Sequence, residues 1–155
     1  MNTKKLNIIF IILCVVISFP TICFANYFDD NSKRYVCYQN DERFKSYLDL
    51  NSVTAVRYDP PYYSIDADII TFDYIGQIGC LYHNRFFYNY NTKEILSKNI
   101  NMYPCYENGY TDKSYDYGIS LTSSIPIKLY SDSAGYLGAN LAFLKCYNMI
   151  FYYYY

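Results

Sequence analysis

The sequence predicts an α+β domain, an antiparallel β-meander of five to six strands with one C-terminal helix packed on one face. Three observations carry that expectation. Runs of β-branched and aromatic residues recur along the chain between polar turns. Tyr63, Ile65, Ala67 and Ile69 alternate with Ser64, Asp66 and Asp68 at period two, the signature of a strand with one apolar face. Near the end, Ala134, Leu137, Leu141 and Leu144 recur at three- and four-residue spacing, the period of a helix.

Residues 1–25 are expected to lie outside that domain. Lys4 and Lys5 supply a positive n-region, Ile8 to Phe19 an apolar stretch, and Cys23 and Ala25 an A-x-A-like site, so the segment reads as a secretory signal peptide cut between Ala25 and Asn26. The apolar stretch is too short to span a bilayer as a helix. Residues 26–155 then form a single exported domain, with no transmembrane segment after cleavage.

Arg34 to Gln39 is the first strand, and Asn40-Asp41-Glu42 turns it into Ser46 to Asp49. Val53 to Tyr58 follows Asn51-Ser52, and Asp59-Pro60-Pro61 forces a hairpin because proline cannot donate to a ladder. In Tyr63 to Tyr74 the apolar positions shift beyond Ile69 to Ile70, Phe72 and Tyr74. A bulge is the favoured reading, and a strand covered on both faces is the alternative. Gly76 to Gly79 is a turn, Cys80 to Tyr90 a long aromatic strand, and Glu94 to Met102 the last strand of the meander. Tyr103 to Ser124 reads as a long loop pinned at Cys105, and Ile125 to Tyr130, with Pro126, as an edge. Ser131 or Ser133 can cap a helix from Ser133 to Met149 whose leucine side packs on the sheet. Gly135 and Gly138 cost it about 1 kcal/mol each relative to alanine.

With 13 Lys+Arg against 14 Asp+Glu, the chain lacks the basic footprint of a nucleic-acid binder. Four cysteines follow the signal segment, Cys37, Cys80, Cys105 and Cys146, and an even count in an exported chain points to two disulfides. All three pairings are open. The working hypothesis joins Cys105 to Cys146, to hold the long loop, and Cys37 to Cys80. No Cys-x-x-Cys spacing occurs, and no metal or cofactor is expected. His83 is the only histidine, and three residues along a strand turn it away from Cys80, against a Cys-His nucleophilic pair. Asp66 and Asp68 share a strand face and read as solvated carboxylates. The 23 tyrosines are the one excess suited to interfaces, although coding bias could also fill strands with them. The tail Phe151, Tyr152, Tyr153, Tyr154 and Tyr155 is the sharpest instance and a candidate interaction surface.

The segment Tyr47-Leu48-Asp49-Leu50-Asn51-Ser52-Val53, a strand ending in Asp, a short step and Ser-Val opening the next strand, resembles a motif of small exported bacterial proteins of the surface-adhesin protein E type. The resemblance spans roughly Tyr35 to Met149 and implies a meander closed by one C-terminal helix and binding of host extracellular proteins. It departs from that pattern in having Tyr35 where tryptophan is expected and in its four cysteines, and no binding residue carries over. The expected function is an exported, non-enzymatic binding protein with a protein partner, a surface adhesin or interaction module in the periplasm, on the cell surface or secreted. A periplasmic inhibitor or envelope accessory protein is the alternative. A hydrolase would need a pocket that collects His83, Arg85 and a carboxylate.

Overall fold

Each run of β-formers bounded by a turn becomes a strand. The computed structural model describes residues 26–117 and 125–152. In chain order the elements are the one-turn helix α1 (Tyr27–Asp30), strands β1 (Tyr35–Asn40), β2 (Phe44–Asp49), β3 (Thr54–Asp59), β4 (Tyr62–Asp73), β5 (Ile78–Asn89), β6 (Glu94–Pro104) and β7 (Ile127–Lys128), and helix α2 (Ala134–Tyr147). The strands pair antiparallel in the order β1-β2-β4-β5-β6-β7, with β3 also paired to β4. This is the expected α+β architecture, with the two-residue β7 taking the sheet to seven strands.

Strand β4 is long enough to hold β2 and β3 end to end along one edge. Phe44 to Leu48 pair with Ile69 to Asp73, and Thr54 to Asp59 with Tyr62 to Asp66. Between them lies the Asp49–Val53 step. Ser52 Oγ accepts the Asp68 amide at 2.8 Å and donates to the Asp49 carbonyl at 2.7 Å, so a hydroxyl serves the stretch of β4 that neither strand reaches. The buried Asp49 carboxylate takes two bonds from Arg34, at 2.9 and 2.6 Å, and one from the Asn51 amide. The expected hairpin after β3 forms at Pro60-Pro61, whose peptide bond is cis.

No bulge occurs at Ile69-Ile70. Strand β4 pairs with β5 in unbroken register from Tyr62↔Asn89 to Asp73↔Ile78. The shift in apolar positions arises because both sheet faces are covered. Tyr63, Ile65, Ala67 and Ile69 belong to the core under α2. Ile70 and Phe72 belong to a second cluster with Phe28, Tyr35, Tyr47 and Cys105 on the other face.

Helix α2 starts at Ser133, whose Oγ accepts the Tyr136 amide at 3.2 Å, and ends at Asn148, left-handed at φ 52°, whose amide reaches the Leu144 carbonyl at 2.8 Å. It packs through Tyr136, Gly138, Ala139, Ala142 and Phe143, which corrects the leucine face expected from spacing: of those leucines only Leu141 is partly buried against this core. Leu144 is 42% exposed. The small residues bring the helix close to the sheet: a Cβ on Gly138 would lie 2.9 Å from the Tyr38 ring. Phe143 fills the space between, 5.2 Å from the Tyr63 ring, 4.9 Å from Tyr88 and 5.1 Å from Phe151.

The disulfides expected of Cys37, Cys80, Cys105 and Cys146 are not formed; all four are free thiols. For the pairing hypothesised from the sequence, Cys105 to Cys146 and Cys37 to Cys80, topology supplies the reason. Strands β2 and β4 separate Cys37 from Cys80, about 14 Å at the usual strand spacing, against a disulfide reach of about 7 Å. Cys105 lies in the cluster on the face away from α2, which carries Cys146.

Candidate functional site

The most built surface is the end of the sheet where the β4–β5 turn meets the chain after β6. Its keystone is Gly79. A Cβ there would lie 2.2 Å from the Cys105 carbonyl oxygen and 2.5 Å from the Phe72 ring, so only glycine lets both approach. The Cys105 amide donates to the Gly79 carbonyl at 2.9 Å, which ties the start of the loop to β5.

From there the expected long loop opens with a small hairpin over Cys105–Thr111, and its last part, 118–124, lies outside the described residues. Cys105 bridges Thr111, the Tyr106 amide donates to Tyr110 and the Gly109 amide to Tyr106, both at 2.9 Å. Gly109 takes φ 86°, the left-handed region, as the Asn-Gly pair suits, and its bare Cα receives the Tyr27 ring. Tyr27 also donates its amide to the Glu107 carbonyl at 2.9 Å, so α1 braces the hairpin. Farther on, Asp116 accepts from the Asn101 side chain at 2.6 Å and from the Met102 amide at 3.0 Å. The Tyr117 amide reaches the Met102 carbonyl at 2.7 Å.

The backbone is thereby fixed while the side chains stay outside. Tyr106 stacks on Tyr110 at 5.8 Å, and Tyr115 meets Tyr117 edge-on at 4.7 Å. Tyr106, Tyr110 and Tyr115 are exposed, as are Ile75 in the adjoining turn and Ile78 at the start of β5. Between hairpin and turn opens a cavity of about 440 Å³ lined by Phe72, Tyr74, Ile78, Cys105, Tyr106 and Tyr117, among others. Burial pushes the Cys105 thiol and the Tyr74 hydroxyl up, so both are neutral donors at neutral pH. At the rim, hydrogen bonds from Arg43 and from the Gly76 amide hold the Asp73 carboxyl below its usual range.

The residues singled out in the sequence fall elsewhere. Asp66 and Asp68 share a strand face, but each has a partner across β5: Arg85 at 2.7 and 2.8 Å for Asp66, and His83 Nδ1 at 2.6 Å for Asp68. These pairs lie on the open sheet, and the 440 Å³ cavity contains neither His83 nor Arg85. Among the described residues no group of three His, Cys, Asp or Glu converges to hold a metal. Of the aromatic tail, Phe151 is buried in the α2-side core. Tyr152 is partly exposed, and Tyr153, Tyr154 and Tyr155 lie outside the described residues.

Sequence reasoning missed Gly79, read there as a turn residue, and α1, whose capping signal is Asn26 before Tyr27: its Oδ1 accepts the Phe28 amide at 3.0 Å. The chain matches no family model, no curated protein and no solved structure.

Proposed function

We propose that the chain is an exported, non-enzymatic protein-binding domain, a surface adhesin or interaction module, which docks its partner through the tyrosine hairpin and the β4–β5 turn. The observation that carries this reading is a fixed backbone bearing exposed rings, Tyr106, Tyr110 and Tyr115 beside Ile75 and Ile78. Tyrosine suits this role because it offers a large amphipathic contact with few torsions to freeze, and Asn, Ser and Gly around it supply adaptable hydrogen bonds. A hairpin ordered before binding spends less free energy on ordering during it. The resemblance noted above points to host extracellular proteins as the partner class. Export rests on Lys4, Lys5, the apolar run and Ala25.

Two measurements test the reading. Intact mass of the protein recovered outside the cytoplasm should begin at Asn26; a chain beginning at Met1 sinks the export step. Binding of the chain to a panel of immobilised extracellular-matrix proteins should show at least one partner, and the Tyr106→Ala/Tyr110→Ala variant should weaken it by about 2 kcal/mol, the level of an interface hot spot. Binding unaffected by that variant moves the docking surface elsewhere.

A further inference from the structure

Helix α2 is apolar nearly all the way round. Lys145, in the last turn, is its only charged residue. A helix of that composition is ordinarily covered on every side. Here the sheet covers the side bearing Tyr136, Gly138, Ala139, Ala142 and Phe143, with Leu141 partly buried at its edge. The other side carries Leu137 and Leu144, and together with Leu141, Ile150 and Tyr152 these line an apolar groove of about 330 Å³. Leu144, Ile150 and Tyr152 are each more than 40% exposed.

One polar side chain sits in this groove. Asn140 lines it, and both Nδ2 and Oδ1 are buried without a hydrogen-bond partner among the described residues. An unsatisfied buried carboxamide is costly, and a native fold that retains one calls for an explanation. Leu137 and Leu144 lie three residues before and four after Asn140, so 137, 140, 141 and 144 form one seam at the spacing by which helices pack on each other. A lone asparagine within an apolar seam is a device that selects register and oligomeric state.

From these observations we infer that the α2 groove is the interface of a symmetric dimer, and that its occupant is α2 of a second copy of this chain. An axis passing beside Asn140 sets the two helices antiparallel, with Leu137 of each opposite Leu144 of the other. The two carboxamides then meet, each donating from Nδ2 to the other's Oδ1, after a side-chain rotation that turns them into the groove. A carboxamide carries a donor and an acceptor and so complements its own image, as a self-complementary interface requires. The antiparallel arrangement also places the two Lys145 residues at opposite ends of the seam, away from each other. This interface is separate from the tyrosine hairpin, so a dimer would present two hairpins.

The experiment is sedimentation equilibrium of the full chain over a concentration series to about 100 μM, the range in which a micromolar dimer declares itself. The expected result is a monomer–dimer equilibrium in the wild type. Leu144→Lys, at an exposed position, and Asn140→Asp, which sets two carboxylates at the axis, should each weaken it by about tenfold or more, since a buried charge without a partner opposes association. For Asn140→Asp the dimer should recover below about pH 4, where the carboxyl protonates. Near-ultraviolet circular dichroism of both variants, matching wild type, shows that the fold is intact; if Asn140→Asp fails this check, Leu144→Lys alone decides. A wild-type monomer throughout the series, or a dimer indifferent to Leu144→Lys, overturns the inference.

Discussion

On the α2 side of the sheet, a four-turn helix and the residue Phe151 bring one ring, Phe143, against Tyr63, Tyr88, Tyr90 and Tyr147. On the other side, one turn of helix brings Phe28 against Tyr35, Tyr47 and Phe72, with centroids 4.8 to 5.5 Å apart. The first face is closed by apolar packing over most of its length. The second is closed only at the end near Phe72, and farther along the same face the pairs Asp66–Arg85 and Asp68–His83 remain partly solvated. Around Phe28 the covering chain is held by backbone bonds, from Tyr27 to Glu107 and from Cys105 to Gly79, as much as by packing. The thinly covered face is thus the one that supports the tyrosine hairpin. A binding loop can vary there without disturbing the main core.

The strongest test of this contrast is to remove the hub of the α2 side. Phe143→Ala should destabilise the chain by about 3–5 kcal/mol, because a buried ring leaves a cavity as well as losing its transfer free energy. Urea unfolding followed by circular dichroism measures it. A loss below about 1 kcal/mol would mean that α2 is not the principal cover.

Phe28→Ala should cost less, about 2 kcal/mol, because α1 is a single turn that can detach locally while the sheet persists. Hydrogen exchange separates this outcome from global unfolding. The Cys105 amide, bonded to Gly79, should lose protection, while amides along the β4–β5 ladder keep theirs. Equal loss at both places would show that the two faces unfold as one unit.

The α2 side was the more legible of the two in the sequence. Period two in Tyr63 to Ile69 marked the strand and its covered face, Ser133 marked the helix start, and Pro60-Pro61 marked the hairpin. The helix orientation was not legible: with apolar residues on nearly every side of α2, three-to-four spacing fits the leucines and equally fits Tyr136, Ala139 and Phe143. Sheet contact selected the set with small residues for close approach and a ring to fill the gap. On the other face, Ile70 and Phe72 gave the signal of a second cover, but its source, Phe28, lies far away in the chain. Asp66 and Asp68 looked unpaired because the register of β4 and β5 depends on where the turn falls. The turn occupies Tyr74 to Gln77, ahead of the Gly76 to Gly79 expected. The tyrosine hairpin was visible as composition, with Asn108-Gly109 as its turn, while its bracing by Tyr27 and Gly79 is tertiary.

Leu141→Ala sharpens the comparison within α2 itself. Spacing alone assigns this leucine to the core, where truncation costs about 2–5 kcal/mol. In the structure it is only partly buried, at the edge of the α2-side core where it also lines the groove, so the cost should be about 1 kcal/mol in the monomer, at the lower end of that range or less. Measurement at protein concentrations too low for self-association keeps the two contributions apart.

The smallest effect belongs to the wet half of the second face and is a pH dependence. The bond to Asp68 raises the His83 pKa above its ordinary value, with the charge of Asp66 adding to it, while burial and Arg85 oppose. A histidine whose folded pKa exceeds its unfolded one stabilises the fold when protonated. That stabilisation is complete below the unfolded value of about 6.5 and fades as pH rises through the folded value. Wild-type stability should therefore fall relative to His83→Gln between about pH 6 and pH 8, by less than about 1 kcal/mol because the pair is partly open to solvent. Denaturant titrations of both proteins across that range decide the matter. Parallel pH profiles would mean that the Asp68–His83 contact has no energetic weight, whereas convergence toward high pH would show that this face, unlike the one under α2, draws part of its stability from charge.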